Sequence, residues 1–187
     1  GTITNQFFGS SISLNDNGDI LAIHSPGHEK YRVTKNNTPF TSLYQYNDDV
    51  SWVQIGQDIS GDVLNDGYSE SNYYETVSLN ANGKILGITE QNYNKVNIYK
   101  YNDVSWVQMG NSITGTAVTY EILCNKSISM NAEGNIIAIY TLTDDTLRGD
   151  LEGNVESKVQ IFEYDYNDNS WNQIGQDLYP DNTSDYF

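Results

Sequence analysis

The chain has 187 residues, 37% of them hydrophobic and 18% charged, so it is long enough to bury a core and is not of a composition kept disordered by charge. Its 9 basic and 25 acidic residues give a formal net charge of −16, which repels phosphate backbones and argues against nucleic-acid binding. The single cysteine excludes an internal disulfide framework, and no apolar run approaches the roughly 18 residues of a membrane-spanning helix, so we expect no membrane insertion.

The first predicted elements are two strands joined by a tight turn. In residues 11–15 the apolar Ile12 and Leu14 alternate with serines, which is typical of a half-buried strand. Residues 15–18 read Asn-Asp-Asn-Gly and predict a turn in which Gly18 has a positive φ. The next strand, residues 20–23, is apolar throughout and therefore predicted to be covered on both faces. Its small third residue, Ala22, predicts the close approach of a neighbouring sheet.

Two further predicted strands complete the unit. The segment TSLYQYN carries Tyr44, and the segment SWVQ, which follows an Asn-Asp turn, carries Trp52. No segment combines a helical hydrophobic period with paired caps. The unit is therefore predicted to be all-β, with four antiparallel strands.

The same four segments occur three times along the chain, with repeat 1 at about residues 1–61, repeat 2 at about 62–115 and repeat 3 at about 116–187. The tryptophans that fall in register are Trp52, Trp106 and Trp171. The aromatic residues that precede them in equivalent positions are Tyr44, Tyr99 and Phe162. We expect these six side chains to fill the space between repeats rather than to stack on a ligand.

Four antiparallel strands per repeat, with small residues in the innermost-looking strand, are typical of a β-propeller blade. One blade cannot bury both of its faces, so its neighbours must cover them, which explains the repetition. The alternative is a β-trefoil, which also contains three copies of a four-stranded unit. These repeats are long for that fold.

The segment from Phe8 to Pro26 reads FGSSISLNDNGDILAIHSP and resembles an FG-GAP-type propeller repeat. Those repeats begin with Phe-Gly, pass through an Asp/Asn/Gly loop and end in a hydrophobic strand. The whole unit, including SWVQIG, is similar to tandem repeats in large surface proteins of marine bacteria, algae and giant viruses. The resemblance implies a β-propeller and an extracellular or particle-surface (virion) location, and it implies no activity.

The acidic turn of the first repeat is the candidate metal site. In integrin-like members of the resembled family this loop binds calcium, so the resemblance implies Asp16 and Asp19 as calcium ligands. The second copy of the turn has no acidic residue, which favours a plain hairpin and no cofactor. We expect His24 and His28, which flank a Pro-Gly turn, to be ordinary loop histidines.

The sequence carries no nucleophile elbow, Walker loop, zinc-protease helix or paired-cysteine motif, and the acids Asp58 and Asp177 lie in polar connections. We therefore predict that the chain is not an enzyme. The expected function is that of a structural or interaction module, displayed on a cell or particle surface and binding through its blade loops. A glycan-binding lectin is the alternative, and a glycoside hydrolase is the third hypothesis. The partner, protein or glycan, is left open.

Three repeats leave the first and the third each with one uncovered face. We expect apolar surface from the strands of Ile20 and Ile136 on those faces, and such patches usually meet a partner. Closed propellers use about four to eight blades, and three make a poor ring. The chain is therefore expected either to self-associate as a half-ring or to belong to a longer repeat chain.

Overall fold

The computed structural model describes residues 8–26, 39–47, 51–61, 76–90, 95–114, 121–144 and 155–180. These residues form three antiparallel sheets, and they include no helix long and apolar enough to cross a membrane. Each sequence repeat builds one antiparallel sheet with four principal strands, and the first two sheets each add a short fifth strand, which confirms the predicted all-β fold of propeller-type blades. The sheets are separate and packed face to face, so the β-trefoil alternative is not the arrangement adopted.

The first four strands of each sheet are neighbours in chain order. Blade 1 contains β1 (Ser11–Leu14), β2 (Ile20–Ser25), β3 (Phe40–Asn47), β4 (Ser51–Gln54) and β5 (Ile59–Ser60). Blade 2 contains β6 (Val77–Leu79), β7 (Ile85–Glu90), β8 (Lys95–Tyr101), β9 (Trp106–Gln108) and β10 (Ile113–Thr114). Blade 3 contains β11 (Glu121–Met130), β12 (Ile136–Asp144), β13 (Val155–Asp165) and β14 (Ser170–Gln173). The short β5 and β10 pair with the third strand of their blades, and a bridge between Val159 and Leu178 takes that place in blade 3.

An asparagine organises the first hairpin of every blade. The side-chain oxygen of Asn15 accepts hydrogen bonds from the backbone N–H groups of Asp19 at 3.0 Å and Ile20 at 2.9 Å. Asn80 and Asn131 repeat the second of these bonds in blades 2 and 3. The turn ends on a glycine, and the φ of +74° at Gly18 confirms the predicted turn.

The described residues form two hydrophobic core clusters, one at each boundary between blades. The cluster between blades 1 and 2 is formed by Ile20, Ala22, Leu43, Ile59, Val77, Leu79, Leu86, Ile88 and Trp106. The cluster between blades 2 and 3 is formed by Ile85, Val96, Ile98, Met109, Ile113, Ile128, Ile137, Ile139 and Tyr164. Strand β7 of the middle blade is buried at every residue, because blades 1 and 3 cover its two faces. The prediction that residues 20–23 are covered on both faces is wrong for β2, in which Leu21 and Ile23 are half-buried.

The predicted close approach at the small residue of the second strand is present in blade 2. A Cβ at Gly87 would lie 3.1 Å from Ile128 and 3.2 Å from Ile137 of blade 3. Ala22, at the equivalent position in blade 1, is fully buried. The small side chain therefore sets the spacing between one sheet and the next.

The first hairpins of the three blades are also joined directly. The Asp16 N–H donates to the Ala81 carbonyl at 3.1 Å, and the Ala81 N–H donates to the Ala132 carbonyl at 3.1 Å. A Cβ at Gly83 would lie 2.8 Å from Ile20 of the preceding blade, and one at Gly134 would lie 2.7 Å from Ile85. The turn glycines of blades 2 and 3 therefore pack on the first residue of the preceding blade's second strand.

His24 is a buried strand residue. It lies in β2, and its Nδ1 is 2.9 Å from the Thr41 hydroxyl. The prediction of a loop histidine is wrong for His24, because β2 extends beyond the apolar run to Ser25. His28 lies outside the described residues.

Candidate interaction surfaces

A tryptophan joins blade 2 to blade 1. The Trp106 indole Nε1 donates to the Ile55 carbonyl at 3.3 Å, and a Cβ at the following Gly56 would lie only 2.7 Å from the indole. The Gln57 side chain accepts from the Trp106 backbone N–H at 3.1 Å and donates to its carbonyl at 2.9 Å. Residues 55–57 of blade 1 thus form a seat for the tryptophan of the next blade.

A tryptophan joins blade 3 to blade 2 in the same way. Trp171 Nε1 donates to the Met109 carbonyl at 2.9 Å, and a Cβ at Gly110 would lie 3.2 Å from the indole. Trp171 also packs on Tyr164 of its own blade, with ring centroids 5.2 Å apart. Residues 109–111 are therefore the second seat, and its glycine has the same positive φ as Gly56.

Blade 3 carries a third seat at residues 174–176, which holds no tryptophan of the described chain. Its sequence, IGQD at 174–177, is identical to that of the first seat at 55–58. Among the described residues, no atom beyond its chain neighbours lies within 4 Å of a Cβ placed at Gly175. Ile174 is 37% exposed. The third seat is thus open to solvent.

Blade 1 presents the matching tryptophan on its uncovered side, which we call the leading face. The exposed apolar residues of the leading face are Ile12, Leu14, Tyr46 and Trp52. Trp52 is 43% exposed and packs on Tyr46, with ring centroids 5.4 Å apart. Ile12 is 64% exposed, whereas Val77, its equivalent in blade 2, is 7% exposed beneath blade 1. The leading face therefore repeats a surface that blade 2 buries.

Blade 3 presents the opposite uncovered side, which we call the trailing face. Its residues, half-buried or exposed, are Ile136, Ala138, Ile161, Ile174 and Leu178. In the strand of Ile20, Leu21 and Ile23 are half-buried, whereas Ile20 itself is buried beneath the Gly83 turn of blade 2. Ile136 is the equivalent residue of blade 3 and does lie on an open face.

The remaining predicted aromatic residues, Tyr44, Tyr99 and Phe162, lie on the third strand of each blade and are all half-buried. Tyr99 packs against the cluster between blades 1 and 2, and Phe162 packs against the cluster between blades 2 and 3. Tyr44 occupies the equivalent position on the leading face, beside Tyr46 and Trp52.

The repeated acids serve as braces within the blades. Asp58 accepts a hydrogen bond from the Ser42 hydroxyl at 2.6 Å and another from the Gln54 amide at 2.7 Å. Ser112 replaces the acid in blade 2 and donates to Asn97 at 2.5 Å. These groups tie the third strand of the blade to the segment that follows the fourth strand.

Asp177 is the brace of blade 3 and the most strongly held of the acids. It forms an ion pair with Lys158 at 2.9 Å and accepts from Gln173 at 2.6 Å and Gln160 at 3.1 Å. The hydrogen bond from Lys158 lowers the pKa of the Asp177 carboxyl below its usual value; the two glutamines add to this effect, and burial opposes it. Asp177 is therefore ionised and fully bonded, as befits a structural group.

The candidate calcium ligands Asp16 and Asp19 belong to the first hairpin. Asp19 accepts a hydrogen bond from the Asn15 side chain at 2.7 Å, and the side chain of Asp16 is exposed. Within the described ranges, no group of three or more His, Cys, Asp or Glu side chains could hold a metal ion. The plain hairpin without a cofactor stays a prediction, and so does its weaker alternative, calcium at Asp16 and Asp19.

The two edges of the stack differ in sequence. One edge carries the alike hairpins at residues 15–19, 80–84 and 131–135, which are bonded to one another. Because β2, β7 and β12 run antiparallel to their neighbours, all three end at the opposite edge, which we call the variable edge. The connections that follow them are residues 26–39, 91–94 and 145–154, and they differ in both length and sequence.

The glycines of the tryptophan seats were missed by the sequence analysis. Gly56, Gly110 and Gly175 each stand four residues after the tryptophan of their own blade. This fixed spacing was the available signal. The glycine receives the tryptophan of the next blade rather than its own, so the contact is visible only once the stacking direction is known.

No protein-family model matches the chain, and no curated protein is similar to it. Several solved structures are similar at low identity. A proposed 6-phosphogluconolactonase from Bacteroides uniformis has 11% identity and a TM-score of 0.42, with 90% of this chain and 54% of that chain covered. Hydrazine synthase from Kuenenia stuttgartiensis has 11% identity and a TM-score of 0.43, with 94% of this chain and 55% of that chain covered. The periplasmic gluconolactonase PpgL from Pseudomonas aeruginosa has 8% identity and a TM-score of 0.30, with 91% of this chain and 85% of that chain covered. The chain thus spans little more than half the length of the first two.

Proposed function

We propose that the chain is a non-catalytic interaction module, a stack of propeller-type blades displayed on a cell or particle surface. Its partners would bind at the variable edge. The FG-GAP resemblance supports the surface location, and the contrast between the two edges of the stack supports the binding role. A glycoside hydrolase is the least supported alternative, because the carboxylates of Asp58 and Asp177 are bonded to side chains within their own blades.

The contrast between the edges carries the proposal. The hairpins at 15–19, 80–84 and 131–135 are alike because they must bond to one another. The segments at 26–39, 91–94 and 145–154, which connect the second and third strands of the blades, differ in length, charge and aromatic content. Variable loops on a constant strand scaffold are the usual location of binding residues.

A glycan-binding lectin is the second candidate, and the exposed Tyr46–Trp52 pair favours it. Tilted aromatic rings 5.4 Å apart at the surface are suited to stacking on the apolar face of a sugar ring. The Asn47 side chain adjoins this pair and accepts bonds from Ser51, at 3.2 Å from its N–H and 3.0 Å from its hydroxyl.

Two measurements test these functions. A panel of glycosidase, esterase and lactonase substrates should show no turnover above buffer; turnover that co-purifies with the chain through two columns would overturn the non-catalytic proposal. A glycan array should be probed with the wild type and with Trp52→Ala. Glycan binding that Trp52→Ala abolishes would favour the lectin, and glycan binding that survives it would locate recognition away from the leading face.

A further inference from the structure

We propose that the trailing face of one chain binds the leading face of a second copy of the same chain, with Trp52 of the second copy in the 174–176 seat of the first. The inference concerns assembly and is independent of the function proposed above. Its basis is that each boundary between blades inside the chain shows how such faces fit together.

The tryptophan contact is the first part of this joint. The seat at 174–176 has the same sequence as the seat at 55–57, which holds Trp106 through the Ile55 carbonyl and the Gln57 side chain. The partner side chains also match, since Trp52 packs on Tyr46 as Trp106 packs on Tyr101. The boundary between blades 1 and 2 is therefore a direct template for the joint between copies.

The first hairpin supplies the second part of the joint. Gly83 and Gly134 pack on Ile20 and Ile85 of the preceding blade. In the joint Gly18 of one copy would pack on Ile136 of the other. Gly18 is free for this contact, since among the described residues the nearest atom to its Cβ position is in Leu14 of the same hairpin, at 3.8 Å.

The backbone of the same hairpin continues the series. The N–H of the second turn residue in one blade donates to the carbonyl of its equivalent in the next, from Asp16 to Ala81 and from Ala81 to Ala132. The Ala132 N–H of one copy would therefore donate to the Asp16 carbonyl of the other. Within the described ranges, neither group has a backbone partner of this kind.

The occupant we infer is a second copy because this chain itself carries both complementary faces. The contact is heterologous, so two copies bound head to tail at both ends form a closed assembly. Such an assembly has six blades, within the range of about four to eight that propellers use. All apolar residues of the leading and trailing faces would then be covered, as their equivalents already are at the internal boundaries.

The test uses one variant for each face, Trp52→Asp for the leading face and Leu178→Asp for the trailing face. Both side chains are exposed in the single chain, so both variants should fold. Circular dichroism and the thermal midpoint of each variant check this. In sedimentation velocity the wild type should dimerise. Each variant should have a dimer dissociation constant that is higher by roughly thirtyfold or more. Val104→Asp, the same kind of change at a 79% exposed residue outside both faces, should leave the dimer unchanged.

An equimolar mixture of the two variants decides the geometry. The unchanged leading face of the Leu178→Asp chain should bind the unchanged trailing face of the Trp52→Asp chain, so a dimer should reappear on mixing. A wild type that stays monomeric, as it would if the blades of a longer chain or a glycan were the natural occupant, overturns the proposal. So does a mixture that stays monomeric while the wild type dimerises, because it indicates a contact between like faces.

Discussion

Trp171 of blade 3 donates a 2.9 Å hydrogen bond to the Met109 carbonyl of blade 2, next to a glycine that leaves room for the indole ring. Trp106 makes the equivalent contact with Ile55, and Trp52 is the same residue without a described seat. Three tryptophans with nearly the same local sequence thus have different surroundings. Their roles in stability should differ accordingly.

Trp106→Ala should lower the free energy of unfolding by about 3–5 kcal/mol, the usual cost of removing a large buried aromatic side chain. Trp52→Ala should change it by no more than about 0.5 kcal/mol, because that side chain is half in solvent. Both are measured by urea titration at a concentration low enough to keep the chain monomeric. Equal losses at the two positions would show that the blades do not stack in the order described.

Gly83→Ala should destabilise the chain more than Gly18→Ala. Both glycines have a positive φ, so both variants bear a backbone strain of roughly 1–2 kcal/mol. Only at Gly83 would the new Cβ also meet Ile20 of the neighbouring blade, at 2.8 Å, and overpacking of this kind costs about 1–3 kcal/mol more. The difference between the two thermal midpoints isolates the contact between blades, and indistinguishable midpoints would contradict that contact.

Asp177→Asn should cost stability at neutral pH and progressively less in acid. The pKa of this carboxyl is lowered in the folded chain, so its contribution is present above the unfolded value of about 3.9 and is lost as the pH falls through the folded value. Urea titrations from pH 7 to pH 2.5 should show the wild type and the variant converging. Glu163→Gln, at an exposed acid on β13, the strand that carries Lys158, is the control and should show a smaller change. A loss for Asp177→Asn that is independent of pH would contradict the assigned ion pair.

Removal of calcium with a chelator should leave the thermal midpoint unchanged. The Asn15 side chain already organises the first hairpin, and Asp19 is bonded to it. The midpoint is measured in EDTA and in millimolar calcium, for the wild type and for Asp16→Asn. A large fall in EDTA that Asp16→Asn mimics would establish the turn as a calcium site.

The strands and turns could be predicted because their signals are local. The alternation at Ile12 and Leu14 and the glycine of the first turn are each a property of a few adjacent residues. Their repetition in the same order also predicted blades, since a unit with two apolar faces needs neighbours of its own kind.

Burial could not be predicted in the same way. Ile12, Val77 and Ile128 occupy the same position in three similar sequences, yet Ile12 is exposed and the other two are buried. The difference depends only on which side of each blade its neighbour covers. The seat at Gly56 could not be predicted either, because its tryptophan belongs to the next blade. The brace at Asp58 likewise depends on contacts with residues of β3 and β4.

The central claim, that the two open faces are complementary, is tested most directly by the mass of the 187-residue chain in sedimentation equilibrium. The expected mass is twice the 21.0 kDa of the single chain, and it should persist in high salt, because salt screens the repulsion between two chains that each carry a net charge of −16. A stable 21.0 kDa monomer at high micromolar concentration, with Trp52 still accessible to a soluble quencher, would contradict it.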